Sequence, residues 1–254
     1  MQSASVLEIE EAAFRAWPAE EVVELSGWRL RFTHGITRRA NSVWPNGWHG
    51  ETPLEERLAA VEAFAAERAI APSFQLTSAA KPPHLDGALA DRGYSIDAPV
   101  IVKTLELAGR EAIPQGSEIE ASVIASPIPE WLAVSVDRGR YAGVREHFSR
   151  LLARIGDRAG YALASSKDGP IAVGLGVVDG PWLGIFGMLT LPEARRRGAA
   201  RAVLDVLAAW GAARGASHAY LQVERENEPA RALYAGARFL PAYEYHYRTK
   251  FPPR

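Results

Sequence analysis

Apolar positions along the chain switch repeatedly between helical and alternating spacing, and the switches lay out a succession of helices and strands. Residues 5–17 carry Val6, Leu7, Ala12, Ala13, Phe14 and Trp17 in a helical pattern that stops at Pro18. "EVVELSGWRLRF" predicts two short strands around Ser26-Gly27, with Trp28, Leu30 and Phe32 alternating with Arg29 and Arg31. The polar, aromatic "THGITRRANSVWPNGWHGETP" predicts loop, with one strand at 40–44. "TPLEERLAAVEAFAAERA" reads as a helix with Thr52 as N-cap, Pro53 at the first helical position and acids in the first turn. A strand in "SFQLTS", a short helix ending near Gly93 and a strand in "APVIVKTLEL" follow.

Glycine, proline and charge without periodicity mark residues 109–117 as a linker between units at 1–108 and 118–254. Beyond it, "PEWLAVSVDRG" and "YAGVREHFSRLLARIG" predict helices, and "GYALASS", "PIAVGLGVV" and "PWLGIFGMLTL" predict three strands. A helix runs from near Gly198 to about 214, with Ala200, Val203, Leu204, Leu207 and Gly211 on one face. Strand "HAYLQVE", helix "NEPARALYAGA" and strand "AYEYHYRTK" complete the chain. The last part repeats an earlier order: helix, strand with a central glutamine (Gln222 or Gln75), short helix, aromatic (Phe239 or Tyr94), strand. Two copies of one α/β unit are expected.

Bulk composition narrows the function. Of 254 residues, 48% are hydrophobic and 23% charged, enough for a core and ordinary for a globular chain. A formal net charge of −1 argues against a nucleic-acid partner. The absence of cysteine removes disulfides, thiolate catalysis and cysteine-type zinc sites. Six histidines without metal-type spacing give an expectation of no metal. Without a signal-like N-terminus or a long apolar run, the expectation is a soluble, cytoplasmic protein with no membrane partner.

One stretch carries chemistry. In "EARRRGAARAV" (193–203) three arginines meet a glycine and two alanines where a strand gives way to a helix. Small residues let backbone approach a ligand, and a helix start offers unpaired N–H groups and a positive dipole end. A pyrophosphate suits such a place, and flanking guanidiniums add charge and donors. A solvated surface cluster is the plain alternative.

Here the chain resembles a known family. "RRRGAA" matches the R/Q-x-x-G-x-G/A loop of the GNAT N-acyltransferases, with Arg195, Gly198 and Ala200 in the defined places. Downstream, Leu221, Val223, Asn227, Ala230, Leu233 and Tyr234 fit a second family segment, while Arg238 stands where a glycine is usual before Phe239. The first half resembles the degenerate lobe of tandem GNAT-like proteins. It lacks the loop and has Leu89 at the place of Tyr234.

The resemblance implies an α/β fold of two GNAT-like units in tandem, each a mixed central sheet flanked by helices, with the C-terminal unit complete. It implies an N-acetyltransferase that moves an acetyl group from acetyl-CoA to a primary amine by direct attack, through a tetrahedral intermediate and without a metal. Arg195, Arg196, Arg197, Gly198, Ala199 and Ala200 would hold the pyrophosphate. Met188 or Leu189 would supply the oxyanion N–H, Thr190 and Leu191 would line the pantetheine, and Asn227 and Ala230 would touch the cofactor. Tyr234 would protonate the thiolate. No acid lies on "GIFGMLTL", so Glu224, acting through water, is the base candidate ahead of Asp137 and His147.

The dense polar and aromatic loop suggests Arg38, Arg39, Asn41 and Trp44 as acceptor-binding residues, and its guanidiniums favour an acceptor with a carboxylate or phosphate. Plain structural roles exist for all of these: packing for Tyr234, a helix cap for Asn227, a strand end for Glu224, a lobe contact for the loop. The acceptor would be a small-molecule or peptide amine, and a homodimer stays open. The missing strand carboxylate also suits an alternative: a non-catalytic CoA or acyl-CoA sensor on the same fold.

Overall fold

The computed structural model describes residues 5–108, 118–139 and 142–251; the linker expected at 109–117 lies outside them. The chain begins with helix α1 (Val6–Ala16), then strands β1 (Glu21–Leu25), β2 (Trp28–Phe32) and β3 (Val43–Trp44), helix α2 (Leu54–Glu67), strand β4 (Ser73–Leu76), helix α3 (Leu85–Asp91) and strand β5 (Ser95–Glu106). The second half adds β6 (Glu120–Ile124), α4 (Pro129–Leu132) running into a π-helical turn at Ala133–Asp137, α5 (Arg145–Ile155), β7 (Ala159–Ser166), β8 (Gly169–Asp179) and β9 (Trp182–Thr190). It ends with α6 (Ala199–Ala213), β10 (His218–Glu224), α7 (Glu228–Gly236) and β11 (Leu240–Thr249). No helix among the described residues is long and apolar enough to cross a membrane.

The eleven strands of the described residues form one sheet in the order β1-β2-β3-β4-β11-β5-β10-β9-β8-β7-β6. The order has four strands of the first half on one side of the β11-β5 pair and five of the second half on the other. β3 runs parallel to β4, as β9 does to β10. Each half's last strand crosses to the other half: β11 pairs with β4, and β5 pairs with β10. The two crossing strands pair antiparallel at the middle. Neither β5 nor β11 has a neighbour from its own half.

Burial follows this exchange. A small core of Trp28, Leu30, Val43, Leu58, Phe74 and Leu89 fills the first half. The larger core takes residues from α1 (Ile9, Ala12, Ala13, Ala16) and β5 (Val100, Val102, Leu105) together with the second half. The first half's opening helix and closing strand therefore pack with the second half.

Three local expectations change. Helix α2 starts after Pro53, which sits at the cap position, and no side chain caps it. The Thr52 carbonyl instead accepts from Arg57 Nε (2.9 Å), whose other nitrogens donate to the Ser26 and His49 carbonyls (2.6 and 2.7 Å). Two backbone acceptors of the aromatic loop and one of the β1–β2 turn are thus served by one buried guanidinium. Arg31 does not alternate outward: it is buried, donates to Ser42 and Gln75, and burial pushes its guanidinium down to about 10. The helix expected over "PEWLAVSVDRG" is α-helical for its first turn only before it widens into the π turn.

Candidate active site

β9 and β10 stay in parallel register from His218↔Trp182 to Leu221↔Ile185, and no further. Beyond that point they part. On its other side β9 carries an irregularity: Val173 faces Leu189 and Leu175 faces Phe186, so Gly187 and Met188 together oppose Gly174. Such a bulge bends a strand and leaves an extra residue unpaired. Gly187 takes φ +57, a region that suits glycine.

Into this parting opens a cavity of about 620 Å³. The second half supplies Met188, Glu224, Asn227, Ala230 and Tyr234 to its wall, all singled out by the sequence. The first half supplies Arg38 and Arg39, with Trp17, Ile36 and Thr37 beside them. Tyr234 is buried in helix α7 and meets Phe239 edge-on. Asn227 caps α7 through Oδ1, which accepts from Ala230 N (3.2 Å). Glu224 is the one acidic residue among the described lining residues. Its side chain is 60% exposed and pairs with Arg38 (3.4 Å), which also pairs with Asp97 (3.0 Å). The Arg39 guanidinium lies 5.7 Å from the Trp17 ring and 5.1 Å from the Phe186 ring.

The arginine loop follows β9. A 3-10 turn at Pro192–Ala194 leads to Arg195, Arg196 in the left-handed region (φ +61) and Gly198 at φ +91, the cap position of α6. No side chain caps this helix. The three arginines are exposed, and no hydrogen bond or ion pair engages their guanidiniums among the described residues. A Cβ on Gly198 would meet nothing within 4 Å, so the glycine serves backbone conformation. The result is a helix start with open N–H groups beside uncommitted positive charge. The α6 and α7 helices both begin at the C-terminal ends of the parallel strands, so their N-termini lie on one side of the sheet.

Some residues singled out from the sequence lie elsewhere. Asn41 does not line the cavity. Its Oδ1 accepts from Thr33 N and Gly35 N (2.8 and 3.0 Å), and its Nδ2 donates to Thr37 O (2.7 Å), which shapes the loop carrying Arg38 and Arg39. Trp44 is buried, with its indole N–H on Glu10 (3.3 Å). Leu191 is turned into the core, and its N–H goes to Ile171 O (2.9 Å). Leu189 and Thr190 are in ladder register with Val173 and Ala172. Ala199 is buried in the first turn of α6, and Ala200 half-buried.

The sequence reading missed Gln222, Tyr245 and Tyr247 as cavity residues. The signal was there for the tyrosines: "YEYHY" places Tyr243, Tyr245 and Tyr247 on one face of β11 by strand alternation. Burial drives all three phenols upward in pKa. A separate cluster brings Glu20, His34 and His147 together, with possible ligand atoms within 4.8 Å of one another. The two imidazoles stack at 3.9 Å, and Arg150 and Arg154 reach the same groups.

Parallel strands that part at a bulge, with a glycine-led helix start behind them, are the fold of the GNAT N-acyltransferases. A GCN5-related N-acetyltransferase from Kribbella flavida superposes with a TM-score of 0.66 at 16% identity, covering 97% of this chain and 95% of its own. A tandem GNAT protein from the clavulanic acid biosynthesis pathway superposes at 0.57 with 15% identity, over 79% of this chain and 70% of its own. An uncharacterized N-acetyltransferase of Bacillus subtilis, YobR, is 28% identical over 96% of this chain and 98% of its own length. The probable histone acetyltransferase Rv0428c of Mycobacterium tuberculosis is 26% identical over 98% of this chain and 78% of its own. The chain belongs to the family described as probable histone acetyltransferase Rv0428c C-terminal, whose model matches residues 3–248, and it is an acyltransferase of the GNAT fold.

Proposed function

We propose that the protein moves an acetyl group from acetyl-CoA to the primary amine of a small molecule or peptide. The observation that carries this is the uncapped start of α6: Gly198 at φ +91, open space about it, and three exposed arginines with no protein partner among the described residues. A diphosphate satisfies both the N–H groups and the guanidiniums. The acyl end then reaches the parting of β9 and β10, where the Met188 N–H faces the carbonyl oxygen that gains charge.

The amine lone pair adds to the thioester carbonyl. As the tetrahedral centre collapses, the C–N bond is kept and the C–S bond breaks. Tyr234, on the cavity wall, gives its proton to the leaving sulfur, and solvent restores it. The surplus amine proton leaves through water towards Glu224 at the rim. Arg38 and Arg39, which line the same cavity, favour an acceptor that carries an anionic group.

Calorimetry with CoA tests the cradle. The double variant Arg197→Glu, Gly198→Asp is expected to lose CoA binding; unchanged affinity sinks the assignment. Tyr234→Phe is expected to lower kcat by on the order of a hundredfold with CoA affinity kept. An unaffected kcat removes Tyr234 from the chemistry.

A further inference from the structure

Gln75 and Gln222, the two glutamines of the internal repeat, occupy matching places. The only registered pair of β3 with β4 is Val43↔Phe74, and Gln75 is the next residue. The last registered pair of β9 with β10 is Leu221↔Ile185, and Gln222 is the next residue. Both glutamines therefore sit at the point where two parallel strands part. In both, a donor holds the carboxamide oxygen: Arg31 donates to Gln75 Oε1 at 2.9 Å, and the Tyr245 hydroxyl donates to Gln222 Oε1 at 3.2 Å. That turns each NH2 group the other way.

What meets the NH2 group differs. In the first half, Gln75 Nε2 donates to the Glu10 carboxylate at 2.8 Å. Glu10 is fully buried, and Tyr243 (2.6 Å) and Trp44 (3.3 Å) also donate to it. In the second half, Gln222 lines the cavity, and its Nε2 is buried without a hydrogen-bond partner among the described residues. An unmet buried donor is costly, and its natural remedy is an acceptor brought by a ligand. Arg39 lines the same cavity, so the surroundings suit a negative acceptor.

We infer that Gln222 is a specificity-determining residue whose NH2 group takes a carboxylate oxygen of the acceptor amine, and that Glu10 holds the corresponding place in the first half as the protein's own carboxylate. Tyr245 is a positioning residue that keeps the carboxamide in this orientation. The inference rests on the acyl-transfer reading above and adds the chemical class of the acceptor: an amine bearing a carboxylate, as in an amino acid or a peptide with a free C-terminus.

The test uses the full chain, acetyl-CoA and matched amine pairs: L-methionine with 3-(methylthio)propylamine, L-phenylalanine with 2-phenylethylamine, L-lysine with cadaverine. Thiol release gives kcat and KM; calorimetry gives CoA affinity. At least one amino acid is expected to exceed its decarboxylated partner in kcat/KM by about tenfold or more, the scale of one hydrogen bond to a charged group. Gln222→Leu is expected to bring that preference close to unity, through KM, with CoA affinity and melting temperature kept. Tyr245→Phe is expected to raise KM for the amino acid while leaving kcat and CoA affinity in place. Equal use of both members of each pair, use of neither with CoA bound normally, or a preference that survives Gln222→Leu overturns the inference. Absence of CoA binding by the natural sequence overturns the underlying reading instead, and this inference with it.

Discussion

Replacing Gly174 by alanine tests whether the bulge in β9 is packed as described. Gly174 lies in β8 opposite Gly187 and Met188, and a Cβ there would stand 2.7 Å from Met188 Sδ, 2.7 Å from Val203 Cγ1 and 3.2 Å from Leu207 Cδ1. Methionine can swing its sulfur away. Val203 cannot: a β-branched side chain in a helix has one strongly preferred rotamer, and this one is fully buried on α6. Helix α6 must therefore move off the sheet, or β8 must sink. Overpacking of this kind costs about 1–3 kcal/mol, and the double contact at 2.7 Å puts Gly174→Ala in the upper half of that range. At about 2–4 °C per kcal/mol for a chain of this size, the melting temperature should fall by roughly 4–12 °C. Calorimetric or fluorescence melting reads this directly. A double-mutant cycle with Val203→Ala isolates the clash: the pair should be less destabilised than the sum of the singles by about 1 kcal/mol or more. A melting temperature within about 1 °C of the natural value, or strict additivity in the cycle, refutes the packing argument.

Gly198→Ala makes the opposite case, with no steric contact within 4 Å but φ +91; the strain of the left-handed region predicts a loss of about 1–2 kcal/mol in urea unfolding, and no loss would mean the loop conformation is wrong. Glu10 is raised above its ordinary value of 4.5, chiefly by burial, so its contribution to stability is fully present below that value and is lost as pH rises through the folded pKa. Glu10→Gln should therefore gain on the natural protein in unfolding free energy as the pH climbs, and parallel pH profiles would contradict the assignment. Residues 118–254 expressed alone should aggregate or unfold without cooperativity, because β11 loses both of its neighbours; a soluble, cooperatively melting, CoA-binding fragment would show the exchange to be dispensable.

Most of the elements were legible because their apolar spacing is local. The helix at 199–213 and the strands around it follow from period and turn residues, and the "RRRGAA" loop is a local signal of backbone freedom and charge. The strand exchange was not legible. "APVIVKTLEL" and "AYEYHYRTK" announce strands, but nothing in either names a partner on the far side of the chain. Buried arginines were missed for a related reason. Arg31 reads as the polar side of an alternating strand until the Ser42 carbonyl comes to it, and nothing local in the α2 sequence marks Arg57 as the partner of the Ser26 carbonyl. Asn41 shows the limit of a composition argument: a polar residue in a dense loop can be spent on shaping that loop.

The exchange also gives structural work to a half that has no loop like Arg195–Ala200. Its closing strand β5 is the only neighbour of β10 on the side away from β9, and Val100 on that strand lines the cavity. Its opening helix packs into the larger core, and the segment after that helix places Trp17 on the cavity wall. Its loop, braced from within by Asn41, carries Arg38 and Arg39 to the cavity that Tyr234 and Glu224 also line. The cavity is therefore built from both halves. Loss of the arginine loop from the first half would leave that half's own strand parting open, and a buried opening lined by Gln75 and Trp44 would be costly without an acceptor. Glu10 from the opening helix meets both donors, and Tyr243 of the exchanged strand β11 meets Glu10 in turn. The same carboxylate that closes the first half thus fastens the helix and the strand by which the two halves are joined.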